Sequence, residues 1–167
     1  MKKVLIALVL AMLLVCTACG GNPSEQPETV TVQEAAVDMP QSAQAWVSLL
    51  HEKLPFDDQM SETDRAAAIY GILDEDGYTG DAAMLISTMA TPEEIAVFQA
   101  DTVYSAQALC ELAQARLAQQ KASYASYAPQ EVPKLESAVV KVCGEYVIVC
   151  VCADNTLAEQ IIEAVSR

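Results

Sequence analysis

One stretch constrains this chain more than any other: residues 135–152, LESAVVKVCGEYVIVCVC. Two runs rich in β-branched residues flank Gly144-Glu145. A glycine leading a two-residue connection between such runs is the signal of a tight β-hairpin. Pairing about that turn sets Val142 opposite Val147, Val140 opposite Val149 and Ala138 opposite Val151. Side chains alternate along a strand, so these residues share one face, expected to be the core face under helices. Lys141, Tyr146, Ile148, Cys150 and Cys152 fall on the other.

The rest of the domain is built outward from this hairpin. Residues 42–54 form a helix capped by Ser42, with Trp46, Leu49, Leu50 and Leu54 as its apolar stripe and Pro55 ending it. Ser61-Glu62-Thr63-Asp64 has the form of a capping box and opens a short helix reaching Ile72. Residues 74–81, DEDGYTGD, are a turn or loop. Residues 82–90, AAMLISTMA, are expected as a strand. For residues 94–100, EIAVFQA, the local signals leave strand and helix open, because Pro92 also stands where a helix would start. Asp101 then caps a long helix to about Lys121, buried along Ala106, Leu109, Leu112, Ala113 and Leu117. After the hairpin, Asp154 or Asn155 caps a last helix that packs Leu157, Ile161, Ile162 and Val165 inward. This order gives an α+β fold: a β-β-α-β-β-α core after N-terminal helices, with helices on one face of an antiparallel sheet of about four strands.

The first residues, MKKVLIALVLAMLLVCTACGG, have a different design. Lys2 and Lys3 precede an apolar run from Val4 to Val15, and small residues close it at Cys19. Those 12 residues would span only ~18 Å as a helix, short of the ~30 Å hydrocarbon core. The pattern is a secretory leader, residues 1–18, cut before a cysteine that is then acylated: a lipoprotein signal. Cys19 follows Thr17 and Ala18, which suit a cleavage site; Cys16 follows the bulkier Val15. Two or more acyl chains on Cys19 suffice for stable anchoring. The Cys16/Cys19 spacing also spells C-x-x-C, but no strand precedes it, no second pair follows, and the chain has a single histidine. Residues 19–40 are rich in Pro, Glu, Gln, Ser and Thr and are expected as a lipidated, disordered tether, leaving residues 41–167 as one domain.

Charge narrows the partners. The chain carries 9 Lys and Arg against 23 Asp and Glu, a formal net charge of −14. Nucleic acid is excluded as a partner, since no basic patch could neutralise phosphates. Attraction to an anionic membrane is excluded too, so contact with the membrane falls to the lipid on Cys19.

Several segments together resemble a known family. Glu94-Ile95-Ala96-Val97-Phe98, Ser126-Tyr127-Ala128-Pro129, Leu135-Glu136-Ser137-Ala138-Val139-Val140 and Gly144-Glu145-Tyr146-Val147 are similar to the bacterial lipoprotein family catalogued as domain of unknown function 4358. The resemblance covers about residues 43–165. It implies a Firmicutes source of the clostridial kind, a leader, a tether and one domain, and it makes 94–100 a strand. It carries over no catalytic residues. The positions it marks are Glu94, Tyr127, Pro129, Gly144 and Tyr146, of which Tyr127 and Pro129 are expected to shape the turn after the long helix.

Candidate chemistry elsewhere is thin. Cys110, Cys143, Cys150 and Cys152 invite disulfides in an exported protein, but the hairpin register separates Cys143 from Cys150 by ~13 Å of strand. Only Cys110 with a strand cysteine stays open, and buried free thiols are the expectation. Asp74, Asp76 and Asp81 lack the spacing of a calcium loop, so no metal is expected. His51 falls on the polar side of its helix. Asp57-Asp58 and Glu93-Glu94 are adjacent in sequence and diverge in space, unlike an acid/base pair. No cofactor motif is present. The expectation is a membrane-anchored, extracytoplasmic, non-catalytic binding or interaction module with an envelope-protein or cell-wall partner. A small hydrolase acting on envelope material and a self-associating structural protein are the alternatives.

Overall fold

The computed structural model describes residues 38–167; the expected leader, Cys19 and nearly all of the tether lie outside them. The described residues form an α+β fold with one open antiparallel sheet of five strands and five α-helices. In chain order these are α1 (Ala43–Lys53), β1 (Ser61–Glu62), α2 (Ala66–Tyr70), β2 (Tyr78–Ile86), β3 (Glu94–Ala100), α3 (Val103–Tyr127), α4 (Val132–Glu136), β4 (Val139–Cys143), β5 (Tyr146–Val151) and α5 (Asn155–Val165). The strands lie in the order β1-β2-β3-β5-β4.

The hairpin has the register that its turn dictates. Val142 pairs with Val147, Val140 with Val149 and Val139 with Cys150; β4 starts at Val139, so the expected Ala138–Val151 pair is not part of the ladder. Gly144 takes φ +59°, which a leading turn position demands and a side chain resists. Ser42 caps α1 by accepting from the Ala45 N–H at 3.1 Å, and Asp154 caps α5 by accepting from Leu157 at 2.9 Å. Residues 94–100 are a strand, β3, which pairs with both β2 and β5.

The expected sheet of about four strands gains a fifth, and the helices cover both faces rather than one. Ile95, Val97, Ile148 and Cys150 face α1 and α5, where Trp46, Leu50, Ala158 and Ile162 bury them. Ala96, Phe98, Val147 and Val149 face α2 and α3, against Tyr70, Ala106, Leu109 and Ala113. The physical reason lies in β3 and β5, whose side chains are buried on both sides with Gln99 alone half-buried. Unbroken apolar strands of this kind need cover on both faces. The cover over Tyr146, Ile148 and Cys150 removes that face as an exposed docking surface.

Smaller differences have local causes. Ser61 and Glu62 pair with Ile86 and Leu85 as an edge strand instead of capping a helix. The helix after them starts at Ala66 with no side-chain cap. The second strand begins at Tyr78, inside the expected loop. Thr102, not Asp101, caps α3 by accepting from the Ser105 N–H at 3.1 Å, and α3 runs on to Tyr127. Among the described residues no helix is long and apolar enough to cross a membrane.

Candidate functional site

Glu94 opens β3 and Glu93 immediately precedes it, and both side chains are fully buried. They take separate sets of partners. Each is paid for with a cation brought from far along the chain.

Glu94 faces α3. The Tyr70 hydroxyl donates to its Oε1 at 2.7 Å. The Arg116 guanidinium grips it with two bonds, Nε to Oε1 at 3.1 Å and Nη2 to Oε2 at 2.6 Å. Gln120 Nε2 adds a fourth bond at 3.2 Å. This bidentate pair is the strong, geometrically fixed form of a carboxylate contact. Arg116 also lies over the Tyr70 ring, 5.0 Å from its centroid. Burial pushes the Tyr70 hydroxyl well above the ordinary tyrosine value, and the adjoining Glu94 charge adds to that. Burial works against the Arg116 charge, but its bonds to Glu94 outweigh this and raise its pKa.

Glu93 ties the loop after α1 to α4 and to Thr91. It accepts from the backbone N–H groups of Asp57 and Asp58, each at 3.0 Å, and from the Thr91 hydroxyl at 3.0 Å. Lys134 of α4 reaches it at 3.2 Å while also pairing with Asp57 and Glu131. Burial lowers the Lys134 pKa, and those three carboxylates more than offset it, holding the ammonium charged.

Over the Glu94–Arg116 pair, between α3 and the turn joining β2 to β3, lies a cleft of about 240 Å³. Arg116, Gln119, Gln120, Ser123, Tyr124 and Tyr127 form its helical wall, and Ile86, Ser87, Met89, Thr91, Pro92 and the paired Glu93 form the opposite side, or lip. The lip is pinned: the Tyr124 hydroxyl sits 2.6 Å from the Thr91 carbonyl oxygen and 3.1 Å from that of Met89. Met89 takes φ +71°, the left-handed region that side chains resist. Backbone strain held in place by its surroundings is a feature of binding sites. The amide oxygen of Gln120 is buried and has no donor among the described residues.

The positions marked by sequence do not gather at one place. Glu94 forms the floor of the cleft through Arg116 and Gln120, and Tyr127 stands on its wall, 60% exposed. Pro129 starts a single 3₁₀ turn that follows α3. Gly144 and Tyr146 lie at the far end of the sheet: Tyr146 pairs with Gln99, five residues and about 17 Å along β3 from Glu94. Tyr146 is buried against α1 and α5.

The remaining candidates fall away from the cleft. All four described cysteines are free. Cys110 packs on the α3 face while Cys143, Cys150 and Cys152 pack on the other, so the sheet itself separates them. Among the described residues no cluster of His, Cys, Asp and Glu is disposed to hold a metal. Asp76 instead accepts from the Leu73 N–H and Asp81 from the Ala43 N–H. His51 is exposed beside the Phe56 ring. Arg116, Gln120 and Lys134 were not singled out by sequence reasoning. A signal for two of them exists: Leu109, Ala113, Arg116, Gln120 and Tyr124 follow the helical spacing of a buried stripe.

Comparison with known proteins yields one match. A family model described as "Domain of unknown function (DUF4358)" fits residues 53–152, which include β1 to β5, α3 and every residue of the Glu94 network. No curated protein and no solved structure matches.

Proposed function

This chain belongs to the family of domain of unknown function 4358, and from that premise we propose that it is a lipid-anchored, extracytoplasmic, non-catalytic binding module whose ligand is taken in the α3/β2–β3 cleft. One observation carries the choice of site: a mixed polar and aromatic cleft stands on the buried Glu94 carboxylate and the half-buried Arg116 paired with it, under a strained, pinned lip. Rigid scaffolding beneath a concave, partly polar surface is the arrangement of a binding site. Both buried carboxylates are committed to ion pairs and backbone donors, which argues for positioning rather than proton transfer. The leader residues support the location, with Cys19 as the acylated residue and the envelope as the source of partners.

Two experiments test this. Intact mass of the membrane-extracted protein is expected to show an N-terminal Cys19 bearing acyl chains; an unmodified, released form overturns the anchoring. A photoreactive side chain placed at the exposed Ser123, in the native envelope, is expected to give one discrete adduct. Loss of that adduct in Tyr127→Ala supports the cleft. A probe at Ser123 that captures nothing, or captures the same material as one placed at the exposed His51, overturns it.

A further inference from the structure

We propose that the end of the sheet away from the cleft carries a second interaction surface: the open edge of β4 and the apolar groove beside it take an extended, lysine- or arginine-bearing segment of a partner protein by strand addition.

The edge supplies the backbone. β4 is the outermost strand on its side of the sheet. Cys143 and Tyr146 flank a two-residue turn, so they form a hydrogen-bonded pair, and by alternation Lys141 and Val139 also bond to β5. Val140 and Val142 therefore turn their N–H and C=O groups outward. Among the described residues no backbone group pairs with them there. An edge of this kind is a template for a further strand. Its one charged side chain, Lys141, is held toward α5 by Glu159 and Glu163.

The groove supplies a place for a side chain. It lies between this edge and the first turns of α3 and has a volume of about 390 Å³. Val103, Ala106 and Val142 are its apolar lining, Asp101 and Glu145 its charged residues, and Thr102 and Gln107 its neutral polar ones. Val103 is 85% exposed and Val142 50%, and the neighbouring Tyr104 is exposed as well. Side chains of an added strand alternate between faces, so those on the α3 side fall beside Val142, at the groove.

Charge selects the partner. Asp101 and Glu145 accept hydrogen bonds from Ser105 and Gln99, but among the described residues neither has an ion-pair partner. The acidic turn Asp74-Glu75-Asp76 adjoins them, since the Gly77 carbonyl accepts from the Asp101 N–H at 3.0 Å, and its three carboxylates are likewise without ion pairs there. The cations nearest Val142, Lys141 and Arg167, lie on the α5 side with Glu159 and Glu163. A basic segment is therefore attracted to the groove and an acidic one repelled. The same repulsion disfavours a second copy, which would set two acidic rims together in chains of formal net charge −14.

The test is fluorescence anisotropy of labelled KVKVKV and EVEVEV peptide amides, titrated with the membrane-extracted full chain in nonionic detergent micelles, with empty micelles subtracted. KVKVKV is expected to bind and EVEVEV is not, and binding is expected to weaken several-fold from about 50 to 300 mM salt. Val142→Pro removes an outward N–H without removing a bond to β5, and is expected to weaken binding about tenfold. Glu145→Gln keeps an acceptor for Gln99 and is expected to cost about threefold at low salt; it carries the test should Val142→Pro alter the circular dichroism. No anisotropy change up to about 1 mM chain, equal binding of the two peptides, or affinity unmoved in both variants overturns the proposal. A dimer in sedimentation that Val142→Pro dissolves assigns the edge to a second copy and overturns the partner.

Discussion

Arg116→Leu is the sharpest test of the reading that a paired charge supports the cleft. The substitution keeps side-chain bulk under the cleft but deletes both bonds of the bidentate contact and the guanidinium over Tyr70. Glu94 has no exposure through which water could replace them. It keeps only the Tyr70 hydroxyl and the Gln120 amide. Stranding one partner of a buried pair costs about 3–5 kcal/mol, so a loss near 4 kcal/mol is expected. At about 3–5 °C per kcal/mol for a domain of this size, the midpoint falls by roughly 10–20 °C. Removing the charge instead, in Arg116→Leu with Glu94→Gln, leaves a neutral amide that still accepts from Tyr70. The double variant is expected to recover about 1–2 kcal/mol over Arg116→Leu alone. The assay is urea unfolding followed by the emission of Trp46, the sole tryptophan, which is fully buried. A cost under about 1 kcal/mol for Arg116→Leu, or a double variant less stable than the single, refutes the reasoning.

Lys134→Met should loosen the other half of the arrangement. Glu93 stays buried with only its backbone and Thr91 donors, and a loss of about 2–4 kcal/mol is expected, with faster amide exchange at Asp57 and Asp58. Gly77→Ala and Gly71→Ala form a controlled pair, since both glycines have left-handed backbone at φ +72° and +69°. A Cβ at Gly77 collides with the side chains of Ser105 and Asp101, whereas one at Gly71 meets nothing within 4 Å. Gly71→Ala should cost about 1 kcal/mol for strain alone and Gly77→Ala clearly more, and equal midpoints in thermal melts would contradict this. Tyr70 has a folded pKa raised above its ordinary value of 10, so its contribution is complete below about pH 10 and is lost as pH rises beyond it. Stability measured from pH 8 to 11 should fall at the alkaline end, and less steeply in Tyr70→Phe; parallel profiles would remove Tyr70 as the cause.

The hairpin was legible to the residue because one local fact determines it. A two-residue turn led by Gly144 leaves a single register, and every pair from Cys143–Tyr146 to Val139–Cys150 follows. The helix cap at Ser42 was legible for the same reason, since donor and acceptor lie within three residues, and that of the last helix was legible to within Asp154 or Asn155. The edge strand Ser61–Glu62 was not, because it exists only through its pairing with β2 more than 20 residues on. The second covered face was recoverable in principle. IAVF in β3 and YVIVCV in β5 have no polar alternation, and that pattern belongs to strands buried on both sides. The alternation argument separated the two faces of the hairpin but assumed that only one needed cover, and Val142, expected on the core face, is 50% exposed beside the turn.

The cleft shows why a site of this kind escapes local reading. Glu93 and Glu94 read as adjacent carboxylates that diverge rather than an acid/base pair, and they do take separate sets of partners. What turns them into structure is distant: Tyr70, Arg116 and Gln120 for one, Asp57 and Lys134 for the other. A buried charge is tolerable only with such partners, so the presence of two in succession ties α2, α3, α4 and the loop after α1 to the start of one strand. That start is where β2 turns into β3, and the turn forms the lip of the cleft. The paired charges therefore add little net stability, as buried ion pairs generally do, but they fix where the lip and α3 sit relative to each other. The shape of the cleft depends on that placement, and Glu94 reaches the cleft only through Arg116 and Gln120.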